Sequence, residues 1–203
     1  MRKWSPNEYV SMPWKNGGGT TTELAVFPAG AALDQFVWRL STAQVNQDGP
    51  FSYFHGIDRT LAVLSGDGLI LHSDAGQAHA QTVVLTTDSR PYRFSGETAI
   101  SAELLNQRTV FDLNMMTRRD VCSHYMQRLQ AGSHLIEAGD AQQLLLYCLH
   151  GELNLPGDDK LTGGELLLLE EKHEHEGISL RCEASEGTEA VLIFIQFLNM
   201  GQS

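Results

Sequence analysis

Polar side chains occupy alternate positions in two otherwise apolar stretches of the chain. Arg39 and Ser41 are separated by one residue, and so are Asp112 and Asn114. Because side chains alternate between the two faces of a β-strand, the members of each pair share a face if the stretch is extended. An arginine binds a carboxylate through two parallel hydrogen bonds, and serine and asparagine side chains orient it. Arg39, Ser41 and Asn114 therefore predict a pocket for a small carboxylate.

A glycine-rich segment near the start of the chain is a second candidate for binding. Its residues are Trp14, Lys15, Asn16, Gly17, Gly18 and Gly19. Consecutive glycines let the backbone turn tightly, and the residues before them supply an indole face, a charge and an amide. Neither the dinucleotide-binding glycine motif nor a P-loop is present, so we expect this loop to close the mouth of the carboxylate pocket and to face Arg39. The alternative is that the glycines only make a tight connection.

Three further residues complete the candidate site. They are Glu23, His55 and Arg59. Glu23 or His55 would be the acid or base of a second hypothesis, a metal-independent isomerase or hydrolase acting on a small carboxylic acid. For Arg59 the alternative is a structural ion pair with Asp58, and for His55 it is a plain surface or turn position. For Arg39 the alternative is an outward-facing position on a solvated sheet face.

Short strands are the elements that must position these residues. Ten stretches rich in apolar, β-branched or aromatic residues recur between turn-forming residues: 23–27, 35–45, 60–71, 82–86, 98–104, 110–116, 144–155, 165–169, 178–182 and 190–198. Regularly spaced short strands are typical of antiparallel sandwiches and barrels. Helix is scarce, and the best helical candidate covers residues 119–130.

An internal repeat sets the domain plan. Gly66-Asp67 and Gly151-Glu152 each lie between two apolar runs, and a second glycine with a following glutamate comes later in each half, at Gly96 and Gly164. This order of strands and Gly-acid pairs resembles the cupin barrel, and its doubling resembles a bicupin.

The expected fold is therefore all-β, a bicupin of two tandem cupin-like (RmlC-like jelly-roll) barrels with little helix. We place the first barrel at residues 1–119 and the second at residues 120–203. No arginine occurs between Arg128 and Arg181. The first barrel is accordingly expected to contain the ligand pocket, and the second to be filled by its own side chains.

Five motifs resemble the signature of the HutD/Ves family. They are PWKNGGGT at residues 13–20, WRLSTA at 38–43, GPFSYF at 49–54, GIDR at 56–59 and DLNMMTRR at 112–119. The resemblance implies the bicupin fold, a homodimer, and an association with histidine utilisation, in which the protein moderates the pathway by binding a small metabolite. The expected partner is a small carboxylate of the urocanate, formate or N-formylglutamate class.

Composition opposes several other classes of partner. The chain has 25 acidic and 14 basic residues, and a formal charge of −11 disfavours nucleic acid and anionic membrane surfaces. Its three cysteines, Cys122, Cys148 and Cys182, form no CxxC pair, which favours a reducing compartment. With no apolar run of about 18 residues and no signal-like start, a soluble cytoplasmic protein is expected.

No metal or other cofactor is expected. The cupin metal pattern, two closely spaced histidines with a glutamate and a later histidine, is missing from the first half, where His72 and His79 are seven residues apart. His173 and His175 form a His-x-His pair, but the surrounding acidic residues are typical of a solvated turn.

Overall fold

The computed structural model describes residues 1–73, 81–171 and 177–198, and most of them lie in β-strands. The strands up to residue 118 are β1 (Arg2–Trp4), β2 (Val10–Pro13), β3 (Gly19–Phe27), β4 (Trp38–Val45), β5 (Gly49–Pro50), β6 (Ile57–Ser65), β7 (Leu69–Ser73), β8 (Gln81–Leu85), β9 (Tyr92–Ser95), β10 (Ile100–Leu104) and β11 (Val110–Arg118). The later strands are β12 (Cys122–Leu129), β13 (Gly132–Glu137), β14 (Gln143–His150), β15 (Glu152–Asn154), β16 (Lys160–Thr162), β17 (Leu166–Glu170), β18 (Ser179–Ala184) and β19 (Glu189–Phe197). Short 3-10 helices cover Pro6–Glu8, Leu105–Gln107 and Pro156–Asp158. In the described part of the chain, no helix has the length and apolar character needed to cross a membrane.

The strands divide between two compact units. The first unit is Val10–Asp120, and the second unit combines Met1–Tyr9 with Val121–Ser203. The sequence-based plan places residues 1–9 in the first barrel, but β1 pairs with β17, with Trp4 opposite Leu166. The first nine residues therefore belong to the second unit, because a non-local strand pairing outweighs their position in the sequence.

Each unit consists of two antiparallel sheets, and most of their strands occur in corresponding orders. The first unit has the orders β2-β3-β4-β11-β6-β9 and β5-β10-β7-β8, and the second has β12-β19-β14-β17-β1 and β13-β18-β15-β16. The run β4-β11-β6-β9 thus corresponds to β12-β19-β14-β17, and the four-stranded sheets correspond strand for strand. Gly66 and Gly151 follow the corresponding strands β6 and β14, and both adopt a left-handed φ, 98° and 83°.

The segment 119–130, which the sequence favours as a helix, forms strand β12 instead. Cys122, His124 and Met126 are buried at alternate positions, and Tyr125 between them is exposed. A burial period of two is that of a strand with two different faces. Pairing along the whole of β12 with β19 supplies the backbone hydrogen bonds that a helix would have made internally.

Apolar side chains from both sheets fill much of the interior of each unit. In the first unit they include Val45, Leu61 and Val110. In the second unit they include Leu144 and Leu192. The first unit's six-stranded sheet has one face that points into the unit. Unlike the rest of that interior, several residues on this inner face are polar.

Candidate functional site

Three neighbouring strands align polar residues in rows across the inner face of the first unit's six-stranded sheet. In one row, Arg39 of β4 and Arg59 of β6 pair with the same residue of β11. In the next row, Asn114 of β11 lies between Ser41 and Leu61. Paired residues of antiparallel strands share a face, and Leu61 packs in the apolar interior. The predicted residues Arg39, Ser41, Arg59 and Asn114 therefore face inward together.

Asp112 occupies the following row, between Ala43 and Val63. Its side chain is buried, and burial raises the pKa of the carboxyl group to about 7, against the opposing effect of the Arg59 charge. Among the described residues, the buried arginine and carboxylate side chains are Arg39, Arg59 and Asp112. All of them lie on this one face of the first unit.

Arg39 is held along the inner face by a carboxylate. Its Nε donates a hydrogen bond to Glu23 Oε2 at 2.7 Å, and its Nη1 lies 3.5 Å from Ser41 Oγ. The Arg39 side chain is only 6% exposed, whereas that of Glu23 is 24% exposed. The outward-facing alternative for Arg39 is therefore wrong, and Glu23 acts as the residue that orients it.

Aromatic rings enclose the guanidinium group of Arg59. Its Cζ lies 5.2, 5.6 and 5.0 Å from the ring centroids of Phe51, Phe54 and Phe94. Nη1 donates to the carbonyl of Ser52 at 3.2 Å, while the buried Nε has no hydrogen-bond partner among the described residues. Burial lowers the pKa of Arg59 to about 10, so the group is still charged at neutral pH. The rings hold the cation in place, and its Nε–H is left without an acceptor among the described residues.

The Asp58 carboxylate forms its ion pairs with residues other than Arg59. It pairs with Arg119 at 2.7 Å, and Arg119 also contacts Glu97 at 2.8 Å. The side chain of His55 is 89% exposed and lies 3.6 Å from Glu97. His55 therefore belongs to an exposed charged cluster, and the structure does not bring it together with Arg39 and Arg59.

The glycine-rich loop lies toward the opposite end of these strands from Arg39. Gly19 pairs with Val45, which is six residues along β4 from Arg39, or about 20 Å of strand. Trp14 turns inward, where its Nε1 donates to Thr21 Oγ1 at 2.8 Å and its ring packs on the apolar core. The register thus separates the loop from Arg39, contrary to the expectation that the two face each other.

The polar groups of this loop are used by the turn itself. Asn16 Oδ1 accepts a hydrogen bond from the N–H of Gly18 at 3.0 Å, and the Trp14 carbonyl accepts one from Gly17 at 3.0 Å. Lys15 is exposed. These contacts support the alternative in which the glycines make a tight connection.

Gly19 offers a direct test of that structural role. A Cβ at Gly19 would overlap the carbonyl oxygen of Gln44 and lie 3.0 Å from the Trp14 ring. Gly19→Ala is expected to lower the free energy of unfolding by about 1–3 kcal/mol in urea denaturation. Gly49→Ala is the matched control, because a Cβ there meets nothing within 4 Å. Equal stability of the two variants would show that the close approach at Gly19 does not matter.

The second unit has an open groove that lacks buried charges. The groove encloses about 620 Å³, and its lining includes Arg181 and Glu183. Both residues are exposed. Exposed charges are already solvated by water, so this groove offers weaker grounds for a specific anion site than the buried groups of the first unit.

The histidines that the structure describes do not form a metal centre. Within residues 1–73, 81–171 and 177–198, no group of three or more His, Cys, Asp or Glu side chains is placed to hold a metal ion. His72 lies 3.3 Å from Glu103, and both are exposed. His79, His173 and His175 lie outside the described residues.

Asp112 and the phenylalanines around Arg59 are missing from the sequence-based site. The signal for Asp112 is present in the sequence, because it shares the alternation that selects Asn114. Phe51 and Phe54 share one motif, but Phe94 is distant from it in sequence and the three rings meet around Arg59 only when the chain folds, so they give no such signal.

The chain matches a family model and is similar to named proteins. The HutD family model matches residues 6–192. An uncharacterised 21.2 kDa protein in the hutC 3′ region of Pseudomonas putida is 34% identical over 150 residues, which cover 74% of this chain and 75% of the relative. Protein Ves of Cronobacter sakazakii is 30% identical over 152 residues, covering 75% and 77% of the two chains.

Solved structures agree with the predicted fold class. HutD from Pseudomonas fluorescens SBW25, in the formate condition, is 26% identical, with a TM-score of 0.80 over 98% of this chain and 99% of that one. Oxalate decarboxylase from Bacillus subtilis, a cupin, has a TM-score of 0.63 over 96% and 76% of the two chains at 8% identity, which shows the fold alone. The all-β bicupin prediction is confirmed.

Proposed function

Because the chain belongs to the HutD family, which links it to histidine utilisation, we propose that it is a cytoplasmic regulatory protein that binds a small carboxylate metabolite of that pathway and moderates the pathway. The carboxylate binds on the inner face of the first unit, at Arg39, Arg59, Ser41 and Asn114. The protein acts as a homodimer and makes no direct contact with nucleic acid or membrane. Light scattering checks the oligomeric state.

Two buried atoms on this face carry the proposal. Arg59 Nε and Asn114 Oδ1 are buried and lack hydrogen-bond partners in the part of the chain that the structure describes. Leaving such groups unsatisfied costs about 1–3 kcal/mol each, so they are uncommon unless a ligand or water meets them. Arg59 Nε requires an acceptor, and Asn114 Oδ1 requires a donor. A carboxylate supplies the first, and an N–H or O–H group supplies the second.

These requirements rank the candidate metabolites. Urocanate and N-formylglutamate each carry a carboxylate together with an N–H group, so one molecule can serve both Arg59 and Asn114. Formate carries the carboxylate alone and would need a water molecule as the donor to Asn114. Formate is nevertheless a useful minimal probe, because it tests the anion site by itself.

The second unit supports the assignment of the site to the first. Counting along β19 from its pairing with β12 puts Leu192 and Phe194 where β11 has Asp112 and Asn114. Leu192 is buried in the second unit's apolar core, and Phe194 packs against it. The same topology therefore accepts an apolar interior, so the polar residues of the first unit are not required by the fold.

Arg39→Ala tests the proposed site. We expect it to weaken binding of formate, urocanate or N-formylglutamate roughly tenfold, since one charge-assisted hydrogen bond is worth about 1.5–3 kcal/mol. The protein should still fold, because Glu23 is partly exposed and water can solvate its freed carboxylate. A thermal-shift screen identifies the binders, and titration calorimetry measures their affinities.

Arg93→Ala is the matched control for this experiment. Arg93 is exposed and pairs with Asp58 at 2.7 Å, so its loss should leave binding unchanged. If the Arg39→Ala variant binds these carboxylates as tightly as the wild type, Arg39 is not part of the binding site. Failure of the wild-type protein to bind any of the three carboxylates would contradict the proposed function.

A further inference from the structure

Asp112 is an acid placed where an anion is proposed to bind. We propose that Asp112 takes up one proton when a carboxylate binds, so that the site takes the anion and a proton together. This inference rests on the proposed function, because it concerns the regulation of the same site. It makes binding tighter in mildly acidic than in mildly alkaline solution.

The other charged side chains on the inner face that holds Asp112 come from three strands of the same sheet. Strand β6 contributes Arg59, β4 contributes Arg39 and β3 contributes Glu23. The opposite sheet presents apolar side chains such as Leu71. Glu23 compensates Arg39 through their 2.7 Å ion pair, which leaves Arg59 as the opposite charge acting on Asp112. When Asp112 is ionised, the two guanidinium groups are therefore already balanced by two carboxylates.

Asp112 is costly to ionise at this position. It is 3% exposed, and its paired neighbours Ala43 and Val63 offer no polar side chain. Burial raises the pKa of Asp112 to about 7 even though the charge of Arg59 acts in the opposite direction. A bound carboxylate would compete for that same positive charge, so the pKa of Asp112 rises further in the complex.

The expected change in ligand affinity with pH follows from the fraction of Asp112 that is protonated before the ligand binds. A group with a pKa of about 7 is about nine-tenths protonated at pH 6 and about one-tenth protonated at pH 8. Binding at pH 8 therefore takes up nearly one proton per ligand, and it is roughly tenfold weaker than binding at pH 6. Formate and N-formylglutamate are suitable probes, because their carboxyl groups ionise near pH 4 and keep their charge throughout.

Titration calorimetry with these two probes, at pH 6 and pH 8 in buffers of low and high ionisation enthalpy, counts the protons taken up. The wild-type protein is expected to take up nearly one proton at pH 8 and very little at pH 6. Asp112→Asn keeps the shape of the protonated acid and cannot ionise, so its affinity should be the same at both pH values. Asp88→Asn, at an exposed position of the first unit, should behave like the wild type.

The possible outcomes separate this inference from the proposed function. Wild-type binding without proton uptake at pH 8 overturns the coupling and leaves the carboxylate site intact. Proton uptake that persists in Asp112→Asn overturns the assignment to Asp112. If neither probe binds to the wild type or to Asp112→Asn at either pH, the proposed function fails and the coupling fails with it.

The pH dependence of the melting temperature, measured without ligand, tests the titration of Asp112 independently of ligand binding. The folded-state pKa of Asp112 lies above the value of about 3.9 expected in the unfolded chain. Its contribution to stability is therefore complete below about pH 4 and is lost as the pH rises through about 7. The melting temperature of the wild type should fall relative to that of Asp112→Asn between pH 6 and pH 8. Parallel curves for the two proteins would overturn the inference.

Discussion

Replacement of Arg59 by methionine is expected to weaken carboxylate binding by at least about a hundredfold. The substitution removes the buried Nε–H that has no partner among the described residues, together with the charge that attracts an anion. The Nε–H hydrogen bond to the anion is worth about 1.5–3 kcal/mol, and the lost attraction of the buried positive charge adds to it. Methionine preserves an apolar stem among Phe51, Phe54 and Phe94, so the packing around it should change little. Titration calorimetry with formate at pH 6 measures the loss.

The same substitution is expected to destabilise the first unit, because it leaves Asp112 without its opposite charge. Arg59 and Asp112 act on each other through their charges and not as a contact ion pair, so the cost lies at or below that of breaking a buried ion pair, about 3–5 kcal/mol, and protonation of Asp112 relieves part of it. We therefore expect a loss of about 3 kcal/mol at pH 8 and a smaller loss at pH 6. Trp14 and Trp38 lie in the first unit and Trp4 in the second. Tryptophan fluorescence in a Trp4→Phe background thus follows urea unfolding of the first unit.

Arg93→Met is the control for both measurements. Its side chain is 52% exposed and pairs with Asp58, so the substitution should change stability by no more than about 1 kcal/mol and leave binding unchanged. Formate binding by Arg59→Met within tenfold of the wild type would contradict the role of Arg59 as the anion anchor. Unchanged stability of Arg59→Met at pH 8 would contradict the charge coupling to Asp112.

The inner face of the first unit could be predicted because it depends on local alternation. Strands β4 and β11 overlap the predicted stretches 35–45 and 110–116, which contain Arg39, Ser41 and Asn114. A period of two along one strand decides which side chains share a face, and it requires no knowledge of the neighbouring strands. The repeated turns at Gly66 and Gly151 are local features as well, and the sequence identifies both.

Strand pairing is the part that the sequence did not reveal. The position of the glycine-rich loop depends on the register of β3 against β4, and that of the first nine residues depends on the pairing of β1 with β17. Residue propensities favour a helix at 119–130, but they are overridden because the partner strand β19 supplies the backbone hydrogen bonds of β12. These errors share one cause, since each concerns contacts between distant parts of the chain.

The electrostatic balance of the site could not be predicted for the same reason. Sequence pairs Asp58 with Arg59, but adjacent residues of a strand point to opposite faces, and Arg59 instead interacts with the charge of Asp112, which is distant in sequence. Glu23 and Arg39 likewise meet across two strands. The residue types of a carboxylate site are visible in the sequence, whereas the pairing that leaves Arg59 partly unsatisfied is visible only in the structure.

Combining Arg59→Met with Asp112→Leu is expected to reverse the destabilisation of the single variant and to raise stability above the wild type. The second unit supplies the precedent, because Leu192 occupies on β19 the position that Asp112 has on β11. Leu192 is 1% exposed within an apolar core. Replacing buried, interacting charges by apolar residues is commonly neutral or stabilising by about 1–4 kcal/mol, because the desolvation penalty disappears. Urea unfolding at pH 8, followed by tryptophan fluorescence, compares both variants with the wild type.

Stability and binding should therefore move in opposite directions in the double variant, which is expected to lose formate binding as completely as Arg59→Met does. A double variant as unstable as the single one would show that packing around Arg59, and not charge balance, stabilises this region. Retained formate binding would show that the anion is held elsewhere. Higher stability without binding would mean that the first unit keeps its buried charges for a ligand, since the same topology in the second unit folds around leucine.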